Sequence, residues 1–364
     1  MKILSLVGAR PQFIKLAPLS CQIRQHHHEV ILHTGQHFDG NMSDAFFTDL
    51  DIASPDYNLN INQGHHGEQT GRMLIEIERV LLAETPDMVI VFGDTNSTLA
   101  GALAGAKLHI PVIHVEAGLR SFNRQMPEEL NRIVVDHVSD CLFAPTITAM
   151  NHLKTENLAD NSFLTGDIMV DSLAEALARM RDSVLDSHGL EADSYYVLTL
   201  HRPYTVDHAD KLMALLSRLA DAPLPVLFPV HPRTRAVLEK YNLRLPRTIA
   251  LIKPMGYLDF VHLMANATKI LTDSGGIQKE AYILRKPCIT LRTETEWVET
   301  VSSGWNLLLP PDEENLIERI ESFRPPTHYT ALFGENVAAK MVDIIDRLSD
   351  GNVKTTSGPA DCRR

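Results

Sequence analysis

Short runs of apolar and β-branched residues recur along the chain, separated by polar turns and helical patterns. Ten such runs are evident: KILSLV (2–7), EVILH (29–33), MVIVF (88–92), PVIHV (111–115), CLF (141–143), YYVLTL (195–200), PVLFPV (225–230), TIALI (248–252), KILT (269–272) and PCITL (287–291). They are apolar throughout rather than alternating, which is typical of strands buried on both faces of a sheet. We therefore interpret them as strands of parallel sheets.

Between these runs, apolar residues recur at helical spacing. In residues 70–84, for example, Met73, Ile77 and Val80 would lie on one face of a helix. The stretch 336–348 predicts a last helix in the same way. Strands and helices in alternation predict an α/β fold with right-handed crossovers.

Ten strands are more than a single open sheet usually holds. We therefore expect two Rossmann-like domains whose parallel sheets face a central cleft. The first would span residues 1–170 and the second 171–350, beginning with a helical pattern at 171–186. The last helix would cross back to the first domain, and residues 351–364 read as a disordered tail. In open α/β sheets ligands lie outside the carboxyl ends of the strands. The polar residues that follow each strand are therefore the candidates for function.

Charge and composition narrow the class of protein. The 364 residues carry a net charge of −12, which argues against a nucleic-acid surface. Four cysteines without C-x-x-C spacing indicate reduced thiols. The first apolar run is shorter than a secretory signal, and no run approaches the ~20 residues of a membrane span. We expect a cytoplasmic protein with no membrane partner.

The stretch GARPQFIK follows the first strand. Pro11 suits the first turn of a helix, and Arg10 and Lys15 would lie near that helix N-terminus, which favours anions. A plain turn with two solvated cations explains the same residues. The stretch is not a G-x-G-x-x-G fingerprint, so it gives little support to a dinucleotide site.

Three segments offer carboxylates at the same edge of the first sheet. Asp94 follows the third strand in GDTNST, Glu116 follows the fourth in HVEAGLR, and Glu128 opens a helix at PEEL. Helix capping would explain Asp94, and the helix dipole would explain Glu128. Carboxylates at different burial can also serve as acid and base, because their pKa values move apart.

A metal site is the less favoured interpretation of the segment HTGQHFD. It contains His33, His37 and Asp39, but no further ligands at zinc spacing follow. Loop polarity explains it better. We therefore expect no metal.

In the second half, two histidines follow strands, and a glycine pair opens a helix. His201 and His231 could shuttle protons or be structural. In DSGGIQKEA, Gly275 and Gly276 would expose backbone N–H groups at a helix N-terminus, which suits phosphate. Glu280, one turn later, could accept ribose hydroxyls.

Taken in order, these motifs resemble those of the bacterial non-hydrolysing UDP-N-acetylglucosamine 2-epimerases. The set is GARPQFIK, GQHFD, GDTNST, HVEAGLRS, MPEELNR, HR, HPR, DSGGIQKEA and R-x-x-T-E-x-x-E, and it spans residue 1 to about 310. The resemblance implies a glycosyltransferase-B type fold and a homodimer. It also implies interconversion of UDP-GlcNAc and UDP-ManNAc without metal or nicotinamide, by elimination of UDP to a 2-acetamidoglucal and its re-addition.

The resemblance also implies roles for individual residues. Acid/base candidates are Asp94, Glu116, Glu128 and His201. The residues it assigns to the UDP-sugar are Arg10, Lys15, His231, Ser274, Gly275, Gly276, Glu280, Arg292 and Glu296. Of these, Arg292 and Glu296 would lie on the sugar side.

Some positions depart from the family pattern. The usual HR-x-E-N is here HRPYT, so Tyr204 and Thr205 replace Glu and Asn near a second UDP-GlcNAc site that activates some members. Thr293 stands where Asp is frequent, and Asn336 where Gly is common. Regulation by a second ligand is therefore an open question for this chain.

Other functions remain as alternatives. The motifs also resemble the branch acting on UDP-2,3-diacetamido-2,3-dideoxy-glucuronic acid. A UDP-sugar glycosyltransferase could share the glycine turn. A periplasmic sugar-binding module would need a signal peptide, and we expect none here. The hydrolysing branch of this family typically lacks the Pro11 and Lys15 pattern, so the resemblance favours epimerisation over release of free ManNAc.

Overall fold

The computed structural model describes residues 1–36, 47, 49–179, 183–230 and 232–349. Within these ranges the chain forms two parallel sheets, as predicted. All ten predicted runs are strands, and three short strands join them at 57–58, 162–164 and 306–309. Those three strands, which are two to four residues long, were not predicted from the sequence.

The first sheet has seven strands in the order β3-β2-β1-β4-β5-β6-β7. Their bounds are β1 (Lys2–Val7), β2 (His28–His33), β3 (Tyr57–Asn58), β4 (Met88–Phe92), β5 (Val112–Val115), β6 (Cys141–Ala144) and β7 (Ser162–Leu164).

The second sheet has six strands in the order β10-β9-β8-β11-β12-β13. Their bounds are β8 (Tyr196–Thr199), β9 (Val226–Pro229), β10 (Ile249–Ile252), β11 (Lys269–Thr272), β12 (Cys288–Leu291) and β13 (Asn306–Leu309).

Helices follow most of the strands. Those associated with the first sheet are α1 (Arg10–His26), α2 (His66–Glu84), α3 (Asn96–Lys107), α4 (Pro127–Val138), α5 (Ile147–Thr155) and α6 (Met169–Ala178). Those of the second half are α7 (Ser183–His188), α8 (Pro203–Val206), α9 (Ala209–Arg218), α10 (Pro232–Lys240), α11 (Tyr257–Ala265), α12 (Gly275–Ile283), α13 (Val298–Ser302), α14 (Leu316–Ser322) and α15 (Val337–Ser349).

Two helix predictions differ in their bounds. The helix predicted over 70–84 begins earlier, at His66. The pattern at 171–186 is not one helix in the described residues, because α6 ends at Ala178 and α7 begins at Ser183. Periodicity alone cannot locate such ends, since the apolar stripe continues across them.

Each sheet reverses its strand order at a switch point, which lies between β1 and β4 in the first sheet and between β8 and β11 in the second. Residue Leu4 of β1 is paired with Val30 on one side and Val89 on the other. Helices leaving neighbouring strands in opposite directions open a crevice at such a point. The loops after β1 and β4 border that crevice in the first sheet.

The chain divides into two compact units. One comprises residues 1–172 together with the chain from 332 onward, and the other comprises residues 173–331. In the first unit α15 packs against α1, and His27 Nε2 lies 2.8 Å from Asp346 Oδ1. The assignment of catalysis to one unit and UDP binding to the other stays a prediction. The predicted tail at 351–364 lies outside the described residues.

No helix in the described part of the chain is long and apolar enough to cross a membrane. Cys21, Cys141 and Cys288 are free thiols, and the last two are buried. Cys362 lies outside the described residues.

Gly8, between β1 and α1, is required by a close approach. A Cβ on this residue would overlap Ser97 Oγ and lie 2.5 Å from Thr34 Oγ1. Both hydroxyls are buried, so neither can move away into solvent. The close packing brings α3 against the loop after β1.

We predict that Gly8→Ala destabilises the protein by about 1–3 kcal/mol, because the added methyl group overpacks a buried contact. The matched control is Gly71→Ala in α2, where a Cβ would meet nothing within 4 Å. That control should stabilise the helix by roughly 0.5–1 kcal/mol. Chemical denaturation of both variants measures the difference, and equal midpoints would contradict the packing argument.

Candidate functional site

A cavity of about 240 Å³ opens at the carboxyl edge of the first sheet. It is bordered by the loops after β1, β2 and β4 and by the start of α4. Its lining residues are Ala9, Pro11, Gln12, Lys15, Gln36, His66, Gly93, Asp94, Thr95, Asn96, Pro127, Glu128 and Asn131. Three predicted site residues, Lys15, Asp94 and Glu128, therefore share one cavity.

Asp94 is not the N-cap that the sequence suggested. Thr95 caps α3 instead, and its hydroxyl accepts a hydrogen bond from the Thr98 N–H at 3.3 Å. Asp94 is thereby left outside the helix, with its carboxylate 2.6 Å from the Arg132 guanidinium. Its backbone carbonyl accepts a hydrogen bond from Asn131 Nδ2 at 2.9 Å.

The protonation of Asp94 is perturbed. Burial in the cavity wall raises the pKa of Asp94 above its ordinary value, and the nearby Glu116 charge adds to that rise. Arg132 and then Lys15 oppose it. A carboxyl group with a raised pKa is suited to exchange protons near neutral pH.

Glu116 forms an ion pair with Lys15 close to this cavity. Its carboxylate meets Lys15 Nζ, and both side chains are nearly buried. Its backbone has φ +77°, a left-handed conformation that a residue of this type adopts only at a cost of roughly 1–3 kcal/mol. The Glu116 and Ala117 N–H groups both donate to Phe143 O, so these two hydrogen bonds fix the turn against β6.

Glu128 and Glu129 have different environments, although both lie in the first turn of α4. Glu128 is exposed and lines the cavity. Glu129 is buried and accepts hydrogen bonds from the Ser121 and Phe122 N–H groups, both at 2.8 Å. Burial favours the neutral acid, but these N–H groups and Arg132 keep the pKa of Glu129 below its ordinary value.

Gln12 is a site residue that the sequence reading missed. It is buried, its Oε1 accepts from the Gly8 and Ala9 N–H groups, and its Nε2 donates to Phe92 O at 2.5 Å. It therefore joins the loop after β1 to the loop after β4. A glutamine beside a proline in a helix start carries no local signal of this role, since Phe92, its partner in the other loop, lies 80 positions away.

His66, Gln36 and Asn96 also line the cavity without having been predicted. Gln36 Oε1 accepts from the Ser97 N–H at 2.9 Å, and Asn96 Nδ2 lies 3.1 Å from His66 Nδ1. Arg10 opens α1 and is partly exposed, but it is not among the residues that line the cavity.

In the second unit, His201 and Arg202 are held at the end of β8 by a buried aspartate. Asp273 Oδ1 accepts the His201 N–H at 3.0 Å and lies 3.0 Å from the ring Nδ1, while Oδ2 accepts the Arg202 N–H at 3.0 Å. The His201 side chain remains about half exposed. His37 and His231 lie outside the described residues.

The glycine pair opens α12, as predicted, with Ser274 preceding it. A Cβ on Gly275 would overlap the Glu296 carboxylate, which also lies 2.9 Å from Arg292 Nη1 and 3.9 Å from Arg202 Nη2. A carboxylate thus lies at the helix N-terminus where an anion was expected. Gly276 is exposed, and a Cβ there would meet nothing within 4 Å.

The remaining residues of this segment lie within α12. Glu280 is partly exposed in its second turn. The preceding residue, Lys279, is buried with its ammonium 4.6 Å from the centroid of the Trp297 ring. Among the residues described, no three potential metal ligands gather at any point.

Three of the positions that depart from the family pattern share a second cavity, of about 360 Å³, within the second unit. Tyr204, Thr205 and Thr293 line it together with Lys211 and Arg218 of α9. The three departures from the family pattern therefore lie around one cavity and are not scattered over the chain.

We predict that Arg132→Gln raises the pKa of Asp94 further, because Arg132 is the principal charge that opposes the rise. Carbon-13 NMR of labelled aspartate carboxyl groups measures this, with the Asp94 signal assigned from its loss in Asp94→Asn. Arg124→Gln, an exposed arginine just before α4, is the control and should leave the titration unchanged. An Asp94 titration at or below the ordinary value of about 3.9 in the wild type would contradict the account.

Comparison with known proteins identifies the family of this chain. A family model described as UDP-N-acetylglucosamine 2-epimerase matches residues 20–346. A Methanococcus maripaludis protein named as a UDP-N-acetylglucosamine 2-epimerase homolog is 50% identical, covering 96% of this chain and 100% of its own. The UDP-2,3-diacetamido-2,3-dideoxy-D-glucuronate 2-epimerase of Pseudomonas aeruginosa is 48% identical, covering 87% and 91%.

A solved structure extends the likeness to the fold. The crystal structure of Methanocaldococcus jannaschii UDP-GlcNAc 2-epimerase in complex with UDP-GlcNAc and UDP matches with a TM-score of 0.86 at 43% identity. The match covers 95% of this chain and 99% of that one. The chain therefore belongs to the UDP-N-acetylglucosamine 2-epimerase family, a family of isomerases with two Rossmann-like units of the glycosyltransferase-B type.

Proposed function

We propose that this protein interconverts UDP-GlcNAc and UDP-ManNAc by elimination and re-addition of UDP. The observation that carries the proposal is the cluster of Asp94, Glu116 and Glu128 around Lys15 at one edge of the first sheet. The M. jannaschii relative, crystallised with UDP-GlcNAc and UDP, supports the choice of ligand.

In the proposed reaction a base removes the proton from carbon 2 while the bond from carbon 1 to the UDP oxygen breaks. UDP leaves with the electron pair, and a 2-acetamidoglucal remains. UDP then returns to carbon 1 as an acid protonates carbon 2 from the opposite face. Asp94, Glu116, Glu128 and His201 are the candidates for these transfers, and each positioned group typically contributes about 10²–10⁴-fold.

Perturbed ionisation supports the choice of carboxylates. Burial raises the pKa of Asp94, whereas Glu116 forms an ion pair with Lys15, so the two carboxylates lie in different environments. Carboxylates in different environments can act as acid and base in turn.

The departing UDP needs positive charge and N–H donors. The exposed N-terminus at Gly276, with Ser274 and Gly275, suits the diphosphate, and Arg292 lies 2.9 Å from the Glu296 carboxylate beside it. We propose that Arg10, Lys15 and His231 also contact the UDP-sugar, and that Glu280 accepts the ribose hydroxyls. Bound phosphate would displace the Glu296 carboxylate from Gly275, since both anions favour the same N–H groups.

The second candidate substrate is UDP-2,3-diacetamido-2,3-dideoxy-glucuronic acid, with the same chemistry. The P. aeruginosa relative named for that sugar is 48% identical, which favours keeping this candidate. It differs by a carboxylate at carbon 5 and an acetamido group at carbon 3. Either product would supply amino-sugar units for polysaccharide synthesis.

We also propose a homodimer in the cytoplasm. Ile75 and Leu82 of α2, and Leu130 and Val134 of α4, are exposed apolar side chains on helices that both pack against α3. Exposed apolar side chains on neighbouring helices support pairing with a second copy. Free thiols at Cys21, Cys141 and Cys288 are consistent with a reducing compartment.

The decisive assay incubates the protein with UDP-GlcNAc in deuterated water. We expect UDP-ManNAc and deuterium at carbon 2, because the abstracted proton exchanges with solvent. A parallel reaction uses the diacetamido uronate, and the faster substrate identifies the branch. Absence of carbon 2 deuteration in both reactions would contradict epimerisation, and turnover only after addition of a sugar acceptor would point to a glycosyltransferase.

Gly276→Ala separates binding from folding. The added methyl group meets only open space, so the protein should fold and the melting temperature should not fall. If the diphosphate approaches this backbone, UDP affinity measured by calorimetry should fall by about tenfold or more, which corresponds to roughly 1.4 kcal/mol.

We expect the opposite effect on UDP binding in Asp94→Asn, in which turnover is abolished and UDP affinity stays nearly intact. Unchanged UDP affinity in Gly276→Ala would overturn the proposed diphosphate cradle without affecting the assignment of the carboxylates.

A further inference from the structure

A buried histidine lies directly behind the carboxylate cluster. His114, in β5, has no exposed surface, and its Nε2 lies 2.7 Å from the carbonyl oxygen of Gly93. Gly93 immediately precedes Asp94, so this contact fixes the peptide from which the Asp94 side chain leaves the strand. The carbonyl can only accept a hydrogen bond, so the ring nitrogen donates here.

The other ring nitrogen of His114 reaches helix α4. Its Nδ1 lies 2.6 Å from Asp136 Oδ1, and Asp136 is fully buried. The second carboxylate oxygen of Asp136 accepts the Gly118 N–H at 3.0 Å. Gly118 is two residues beyond Glu116, so the same chain of contacts also holds the Glu116 turn.

Both turns need to be held. Gly93 has φ +63°, Glu116 has φ +77° and Gly118 has φ +79°, so neither turn follows the conformation that an ordinary residue prefers. Strained backbone persists only where the surroundings determine it. His114 and Asp136 contact both turns from the buried side, where they cannot touch a ligand in the cavity.

The negative charge of Asp136 is balanced by a neighbouring arginine. Arg120 Nη1 lies 2.8 Å from Asp136 Oδ2, and its other nitrogens form a bidentate pair with Glu156, both at 2.7 Å. Burial favours the neutral acid, but the His114 ring and then Arg120 keep the pKa of Asp136 below its ordinary value. The carboxylate is therefore available as an acceptor to its three donors.

We propose that His114 and Asp136 act as a positioning pair that fixes the Asp94 and Glu116 carboxylates relative to each other for proton transfer at carbon 2. Neither residue touches substrate. Their effect follows from geometry, because a displacement of about 1 Å at reacting groups can cost on the order of 10²-fold in rate. This inference rests on the proposed epimerase function.

The test uses variants that each keep one half of the linkage. His114→Asn places an amide near Nδ1 and keeps the contact with Asp136, whereas His114→Gln reaches toward Gly93 and loses Asp136. Asp136→Asn keeps the size of the side chain but removes its charge. We expect each to lower kcat by about 10–10²-fold per UDP-binding site, with the UDP dissociation constant unchanged.

Calorimetric titration with UDP measures the number of functional binding sites. Dividing turnover by that number keeps misfolded protein from lowering the apparent kcat. Val135→Ala, a buried residue adjacent to Asp136 in α4, is the matched control. It should lower the melting temperature while leaving kcat per site unchanged. Wild-type kcat per site in the His114 and Asp136 variants, or an equal loss in Val135→Ala, would overturn the positioning role.

Crystal structures of the variants decide the inference independently of turnover. Displaced Asp94 and Glu116 carboxylates in His114→Gln, with the same groups unmoved in Val135→Ala, would support it. Unmoved carboxylates would overturn it. If the wild type epimerises neither nucleotide sugar, the proposed function fails, and these structures still decide whether the pair positions the two carboxylates.

Discussion

The site depends on one electrostatic constraint. Neighbouring carboxylates can lie together at the wall of a cavity only if positive charges compensate them. Removing charged groups from water is costly unless they are paired. Lys15 lies against Glu116, and Arg132 lies against Asp94. These two cations come from α1 and α4, so the packing of both helices decides whether the carboxylates can be present together.

The parallel sheet supplies the positions that this constraint requires. β4 and β5 are neighbours, so the residues after their carboxyl ends, Asp94 and Glu116, are brought close without any long loop. Helix α4 then serves several purposes. It contributes Glu128 to the cavity, Arg132 to Asp94, and Asp136 to the buried side of the turns. A proposed catalytic group and residues that hold the site in place therefore share the same short helix.

The sequence predicted the features that follow from strand order. Ten apolar runs identified the strands, and the rule about carboxyl ends brought Lys15, Asp94 and Glu128 to one edge. The sequence could not show which residue caps α3, since Asp94 and Thr95 are both good capping residues. Contacts between distant segments were also beyond it, such as Gln12 with Phe92, or Glu296 over Gly275. These depend on how two loops approach each other, which no local pattern encodes.

The central claim is that the cations stabilise a carboxylate cluster retained for chemistry rather than for folding. A double-mutant cycle on Lys15 and Glu116 tests it most directly, with stability and turnover measured on the same samples. We expect Lys15→Met alone to destabilise by about 3–5 kcal/mol, because it removes the ammonium group that compensates the nearly buried Glu116 carboxylate. Adding Glu116→Gln should restore most of that stability while turnover stays lost. A double variant no more stable than Lys15→Met, or one that regains turnover, would contradict the account.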